Sequence, residues 1–96
     1  MSIGVIATIT IQEGKNAEFE EAFAVLAEQV RANEPGNIFY ALHRSQSNPC
    51  IYKVLEQYAS QADLDAHNQT DYFKAANEVL FPLVAAIPDI ELLDGV

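Results

Sequence analysis

The sequence predicts a single α+β domain, with four strands and a helical layer in the order β-α-β-β-α-β. Three observations carry that expectation. Apolar residues alternate with period two over Ile3–Ile11, Asn37–Arg44 and Cys50–Tyr58. Between the first two of these runs, Phe19, Ala22, Phe23, Leu26, Ala27 and Val30 recur at helical spacing as one stripe. A chain of 96 residues has room for one modest core and no second domain, so residues 1–96 are read as one unit.

The first strand, Ile3 to Ile11, is rich in β-branched residues and gives way to a turn at Gln12-Glu13-Gly14-Lys15. Asn16 is placed to cap the helix that follows, with Glu18, Glu20 and Glu21 near its positive end. Pro35 disfavours helical geometry at Glu34, and Gly36 permits the turn into the second strand. In that strand Ile38, Tyr40 and Leu42 are expected on one face, with Phe39, Ala41 and His43 on the other. Ser45 to Pro49 is a hairpin connection, and the third strand presents Tyr52, Val54, Glu56 and Tyr58 on one side. Ser60 with Asp63 opens a short helix reaching about His67, and Thr70-Asp71 starts another. Phe73, Ala76, Leu80, Leu83 and Val84 form the stripe of this last helix, which Pro82 should kink or end. Pro88-Asp89 precedes a final strand, Ile90 to Leu93. This is the ferredoxin-like order with its second helix split, and it sets all the helices on one face of an antiparallel sheet. Large residues occur on both faces of the strands, so something apolar should cover the second face. Another copy of the chain is the simplest cover, and a homodimer is expected.

Composition excludes several roles. Fourteen acidic against five basic residues give a formal charge of −9, which repels phosphate backbones and anionic membranes. No apolar run approaches the roughly 18 residues of a membrane span, and Met1-Ser2-Ile3-Gly4 lacks the features of a signal peptide, so the expected location is cytoplasmic. Cys50 is the only cysteine, which rules out an internal disulfide, and no His or Lys stands beside it to activate a thiolate. Asp63-x-Asp65-x-His67 has the composition of a metal cluster, but only Asp63 and His67 share a helix face, and two ligands are too few.

His67 is the strongest candidate for proton transfer, because an imidazole exchanges protons near neutral pH. The alternative is a histidine that packs or caps within the split helix. Glu56 interrupts an apolar strand face and needs a partner if it points inward. It can orient His67 or a substrate hydroxyl, pair with Lys53, Arg44 or Arg31, or lie at the solvated sheet edge. Tyr58 and Tyr40 can wall an aromatic pocket or simply fill the core. His43, facing away from Tyr40, is read as a sheet-face or dimer-contact residue.

Glu34-Pro35-Gly36, Tyr40, Leu42-His43-Arg44, Pro49, Glu56-x-Tyr58-x-Ser60, Leu64, His67, Thr70 and Phe73 fall in one consistent register. This ordered set resembles the antibiotic biosynthesis monooxygenase family, particularly its small quinol-monooxygenase-like members. The resemblance spans nearly the whole chain and implies a dimeric α/β barrel. It also implies oxygenation of a phenolic or quinol-like aromatic by dioxygen, without metal, flavin or haem. His67 and Glu56 would then be catalytic, and Tyr58, Tyr40 and Phe73 would bind substrate. Haem-degrading relatives carry an Asn, a Trp and a His where this chain has Ala7, Tyr58 and Asn77, so haem is not expected. Similar proteins that isomerise a small phosphorylated sugar share the Glu-x-Tyr and the following His. A ligand-binding dimer without turnover is the remaining alternative.

Overall fold

In the computed structural model, which describes residues 1–96, the chain runs β1 (Ile3–Thr10), α1 (Asn16–Asn33), β2 (Asn37–Arg44), β3 (Ile51–Tyr58), α2 (Gln61–Asn68), α3 (Asp71–Leu80), a 3₁₀ turn over Phe81–Leu83, and β4 (Asp89–Asp94). The strands form one antiparallel sheet in the order β2-β3-β1-β4. The ferredoxin-like arrangement with a split second helix is therefore the fold of this chain.

The core lies between the sheet and α1. Phe19, Phe23, Leu26, Ala27 and Val30 are buried along one side of α1, as their spacing requires. They meet the inner side chains of the sheet. Phe23 stacks on Tyr40 with ring centroids 5.3 Å apart, and Phe19 tilts against Tyr52 at 4.7 Å. Tyr52, Val54, Glu56 and Tyr58 all turn inward along β3, in register with Val5 and Ala7 of β1. The opposite face shows Ile6, Phe39, Ala41, Leu55 and Leu93, with no helix over it.

Three details depart from the sequence reading. Asn16 does not cap α1. Lys15 occupies that position without a side-chain bond, and Asn16 Nδ2 instead donates to the Pro49 carbonyl at 2.7 Å and the Tyr52 hydroxyl at 2.9 Å. The alternation of β2 breaks at its start. A register shift between Asn37 and Phe39 leaves Ile38 without an opposite residue, and its side chain is 56% exposed rather than inward. Leu83 and Val84 do not continue α3, because Pro82 tightens the chain into the 3₁₀ turn and Val84 bridges to Ile11.

Where the structure bends sharply, the local chemistry is plain. Gly14 has φ +84°, a conformation that suits a residue without Cβ. Ser60 accepts from Asp63 N at 3.2 Å and donates to its carboxylate at 2.8 Å, fixing the start of α2. Thr70 caps α3 through Phe73 N. Gly36 backs directly onto α2: a Cβ there would lie 2.2 Å from Asp63 Cγ. That close approach brings the α1–β2 connection against the helix that carries His67.

Candidate functional site

An apolar cavity of about 480 Å³ opens between the helical layer and the sheet. Aromatic and aliphatic side chains dominate its wall, with Tyr40 and Phe73 against the imidazole, Phe23 on Tyr40, and Ile90 and Leu92 at the β4 side. His67, in the last turn of α2, is 2% exposed and faces this space. Its ring lies 4.6 Å from that of Phe73 and 5.3 Å from those of Tyr40 and Tyr58, centroid to centroid.

The carboxylate that holds His67 is Glu34, not Glu56. Nδ1 of His67 is 2.9 and 3.0 Å from the two carboxylate oxygens of Glu34, in the connection that follows α1. The Tyr72 hydroxyl donates to the same carboxylate from α3. Burial first, and then that bond, push the Tyr72 hydroxyl up to about 12. Nε2 of His67 has no protein partner, yet it is not a buried unsatisfied atom. It therefore opens on the cavity.

Glu56 also lines the cavity, 8% exposed, and accepts from the Tyr58 hydroxyl at 2.8 Å. None of the cations considered for it is its partner. Arg44 pairs with Glu20 at 3.3 Å, and Lys53 lies on the outer face of β3. Desolvation, only partly offset by the Tyr58 bond, raises the Glu56 carboxyl to about 7. Burial followed by the charge of Glu56 raises both Tyr40 and Tyr58, so both phenols stay neutral at working pH.

Of the residues singled out from the sequence, His67, Glu56, Tyr40 and Phe73 converge on this cavity. Tyr58 does not line it: the residue is fully buried behind the wall, and its hydroxyl serves Glu56. His43 is exposed on the outer face, with Nδ1 3.2 Å from the Ala41 carbonyl. Asp63 is engaged by Ser60, and no three His, Cys, Asp or Glu side chains converge in a metal-binding geometry. Asn77 lines the cavity as well. No lysine or arginine reaches the wall. Glu34 was legible only as the residue before Pro35-Gly36 and as the first member of the ordered set; nothing local marks its pairing 33 residues away.

A sheet with its helices on one face, and a buried imidazole opening on an apolar cavity between the layers, define an α+β domain with one candidate small-molecule site. The chain belongs to the antibiotic biosynthesis monooxygenase family, whose model matches residues 2–79. A crystal structure from Caulobacter crescentus, named as a "putative antibiotic biosynthesis monooxygenase", shares 52% identity with a TM-score of 0.97, over 99% of this chain and 90% of that one. A conserved protein from Methanosarcina mazei shares 27% identity at TM-score 0.91, over 97% and 91% of the two chains. A Nitrosomonas europaea structure at 22% identity, covering 99% of this chain and 90% of its own, repeats the fold with TM-score 0.94. No curated protein matches the chain.

Proposed function

We propose that the protein is a cofactor-independent monooxygenase acting on a quinol or related polycyclic phenol, with His67 as general base. The observation that carries this reading is the composition of the cavity: mostly aromatic and aliphatic walls, one imidazole, the Glu56 carboxyl with a few other acidic and amide side chains, and no lysine or arginine. Such a space suits a flat, uncharged, hydroxyl-bearing ring. A phosphorylated sugar would call for cationic ligands, which the wall lacks.

In this mechanism Nε2 of His67 takes the substrate hydroxyl proton. The resulting anion passes one electron to dioxygen, and the substrate radical and superoxide combine to form a carbon–oxygen bond. The peroxide then breaks at its O–O bond. As it does, the C–H bond at the same ring carbon breaks, and its electron pair completes the carbonyl that keeps one oxygen on the ring. The other oxygen leaves as water, with one proton returned by His67 and one from that carbon. All the electrons come from the substrate. The protein contributes desolvation, orientation and a base. Tyr40 and Phe73 pack against the ring, and Glu56, held by Tyr58, orients a hydroxyl. The family membership supports the reaction class.

The working unit in this reading is a homodimer joined through the outer sheet face. It is supported by the apolar side chains Ile6, Phe39, Leu55 and Leu93, which no helix covers.

The test is oxygen uptake by metal- and flavin-free protein with a dihydroxynaphthalene, using ¹⁸O₂ to follow the label into product. Uptake should exceed autoxidation and place one labelled oxygen on the ring. His67→Ala should slow it about 10²–10⁴-fold, the usual effect of losing a general base. His43→Ala, which removes an exposed outer-face ring, should leave the rate unchanged. Equal rates for wild type and His67→Ala would end the base assignment. No uptake with any quinol would favour a binding role.

A further inference from the structure

We infer that Glu34 is a positioning residue that fixes His67 as the Nδ1–H tautomer, so that the lone pair of Nε2 faces the cavity, and that Tyr72 fixes Glu34 in turn. This rests on His67 being the base proposed above, and it adds two residues that the chemistry requires but the cavity wall does not include.

A neutral imidazole carries one proton, and the hydrogen bond made by one nitrogen decides the role of the other. A carboxylate only accepts, so Glu34, within 3.0 Å of Nδ1 through both oxygens, demands a proton on Nδ1. Nε2 is then the acceptor, and it is the nitrogen without a protein partner. The other groups packed on the ring do not set this choice. Tyr40 from β2, Tyr58 from β3 and Phe73 from α3 meet it through their rings, and the Glu56 carboxyl is taken by the Tyr58 hydroxyl.

Glu34 itself must not swing away. It follows the last turn of α1, and besides His67 its carboxylate is held by the Tyr72 hydroxyl, which donates to one of its oxygens. Three separate elements thus lock one imidazole: the α1–β2 connection supplies Glu34, α2 carries the ring, and α3 supplies Tyr72. The same logic governs triads in which a buried carboxylate orients a catalytic histidine, where neutralising that carboxylate leaves the geometry intact but the wrong tautomer in place.

The experiment reads the tautomer directly. Long-range ¹H–¹⁵N correlation spectra of ¹⁵N-labelled protein, recorded where the ring is neutral, distinguish a protonated from an unprotonated ring nitrogen. Wild type should show Nδ1 protonated and Nε2 bare. Glu34→Ala should lose that preference and slow quinol oxidation about 10²-fold or more, with KM little changed. Glu34→Gln, which keeps the shape but can donate its amide to Nδ1, should shift the ring toward the Nε2–H form and slow the reaction as well. Tyr72→Phe should give a smaller loss, with a mixed tautomer population. A wild-type spectrum with Nε2 protonated, or an unchanged tautomer in Glu34→Ala, would overturn the inference. If the tautomer follows Glu34 while wild type oxidises no quinol, the positioning role stands and the reaction assigned to the site falls.

Discussion

Glu56 shows how a single side chain can be legible in type but not in partner. The alternation of β3 set it on an otherwise apolar face without deciding whether that face is covered, and required a partner only if it is; the face is inward and the carboxylate has a partner. Its partner turned out to be Tyr58, two residues along the same strand and on the same face, rather than any cation. Glu34 and His67 were the harder case, since two residues 33 positions apart meet only once three elements have docked. The buried carboxyl of Glu56 has a direct consequence for stability. In the folded chain it holds its proton up to about 7, against a usual value near 4.5. Protonation therefore favours the fold: the contribution is complete below about 4.5 and is lost as pH rises through 7. Over that span it amounts to about 3 kcal/mol. Glu56→Gln, permanently neutral, should gain on wild type by that order between pH 4.5 and 8. Urea unfolding of both proteins across this range checks it, and parallel stability curves would show that the carboxyl is not held protonated.

Among the elements, the strands and helices were readable because their periods are set by what they bury. The stripe of α1 and the inward face of β3 appear where the sequence puts them. The start of β2 was not readable, because a register shift adds a residue without altering the apolar pattern, and Ile38 goes outward as a result. The cap of α1 failed for a related reason: Asn16 had a better use in holding Pro49 and Tyr52 together across the sheet end. Gly36 is where one element depends most on the smallness of another. Any Cβ there enters the space of the Asp63 carboxylate, which Ser60 already fixes. Gly36→Ala should cost about 1–3 kcal/mol, as overpacked sites commonly do. It should also slow quinol oxidation, because α2 must move away from the connection that carries Glu34. Thermal unfolding and oxygen uptake together test this. A variant with wild-type melting and full activity would show that Asp63 steps aside freely.

At the scale of the molecule, the sequence announced an apolar surplus that one helical layer could not cover, and the outer face of the sheet bears it. Phe39 is 45% exposed there and Leu93 41%. Placing carboxylates on that face, as in Phe39→Asp with Leu55→Asp, should leave the helix-covered core intact but give a monomer by light scattering at micromolar concentration, since sheet packing would bury unpaired charges. A dimer that survives the double substitution would have to be joined elsewhere. The opposite edge of the sheet carries a different lesson. β4 pairs only with β1, yet its Ile90 and Leu92 form one wall of the cavity, whereas Glu34, His67 and Tyr72 come from the α1–β2 connection, α2 and α3. One wall of the cavity and the supports of the proposed base thus sit on separate parts of the chain. Substitutions at Ile90 or Leu92 would reshape that wall without touching Glu34, His67 or Tyr72.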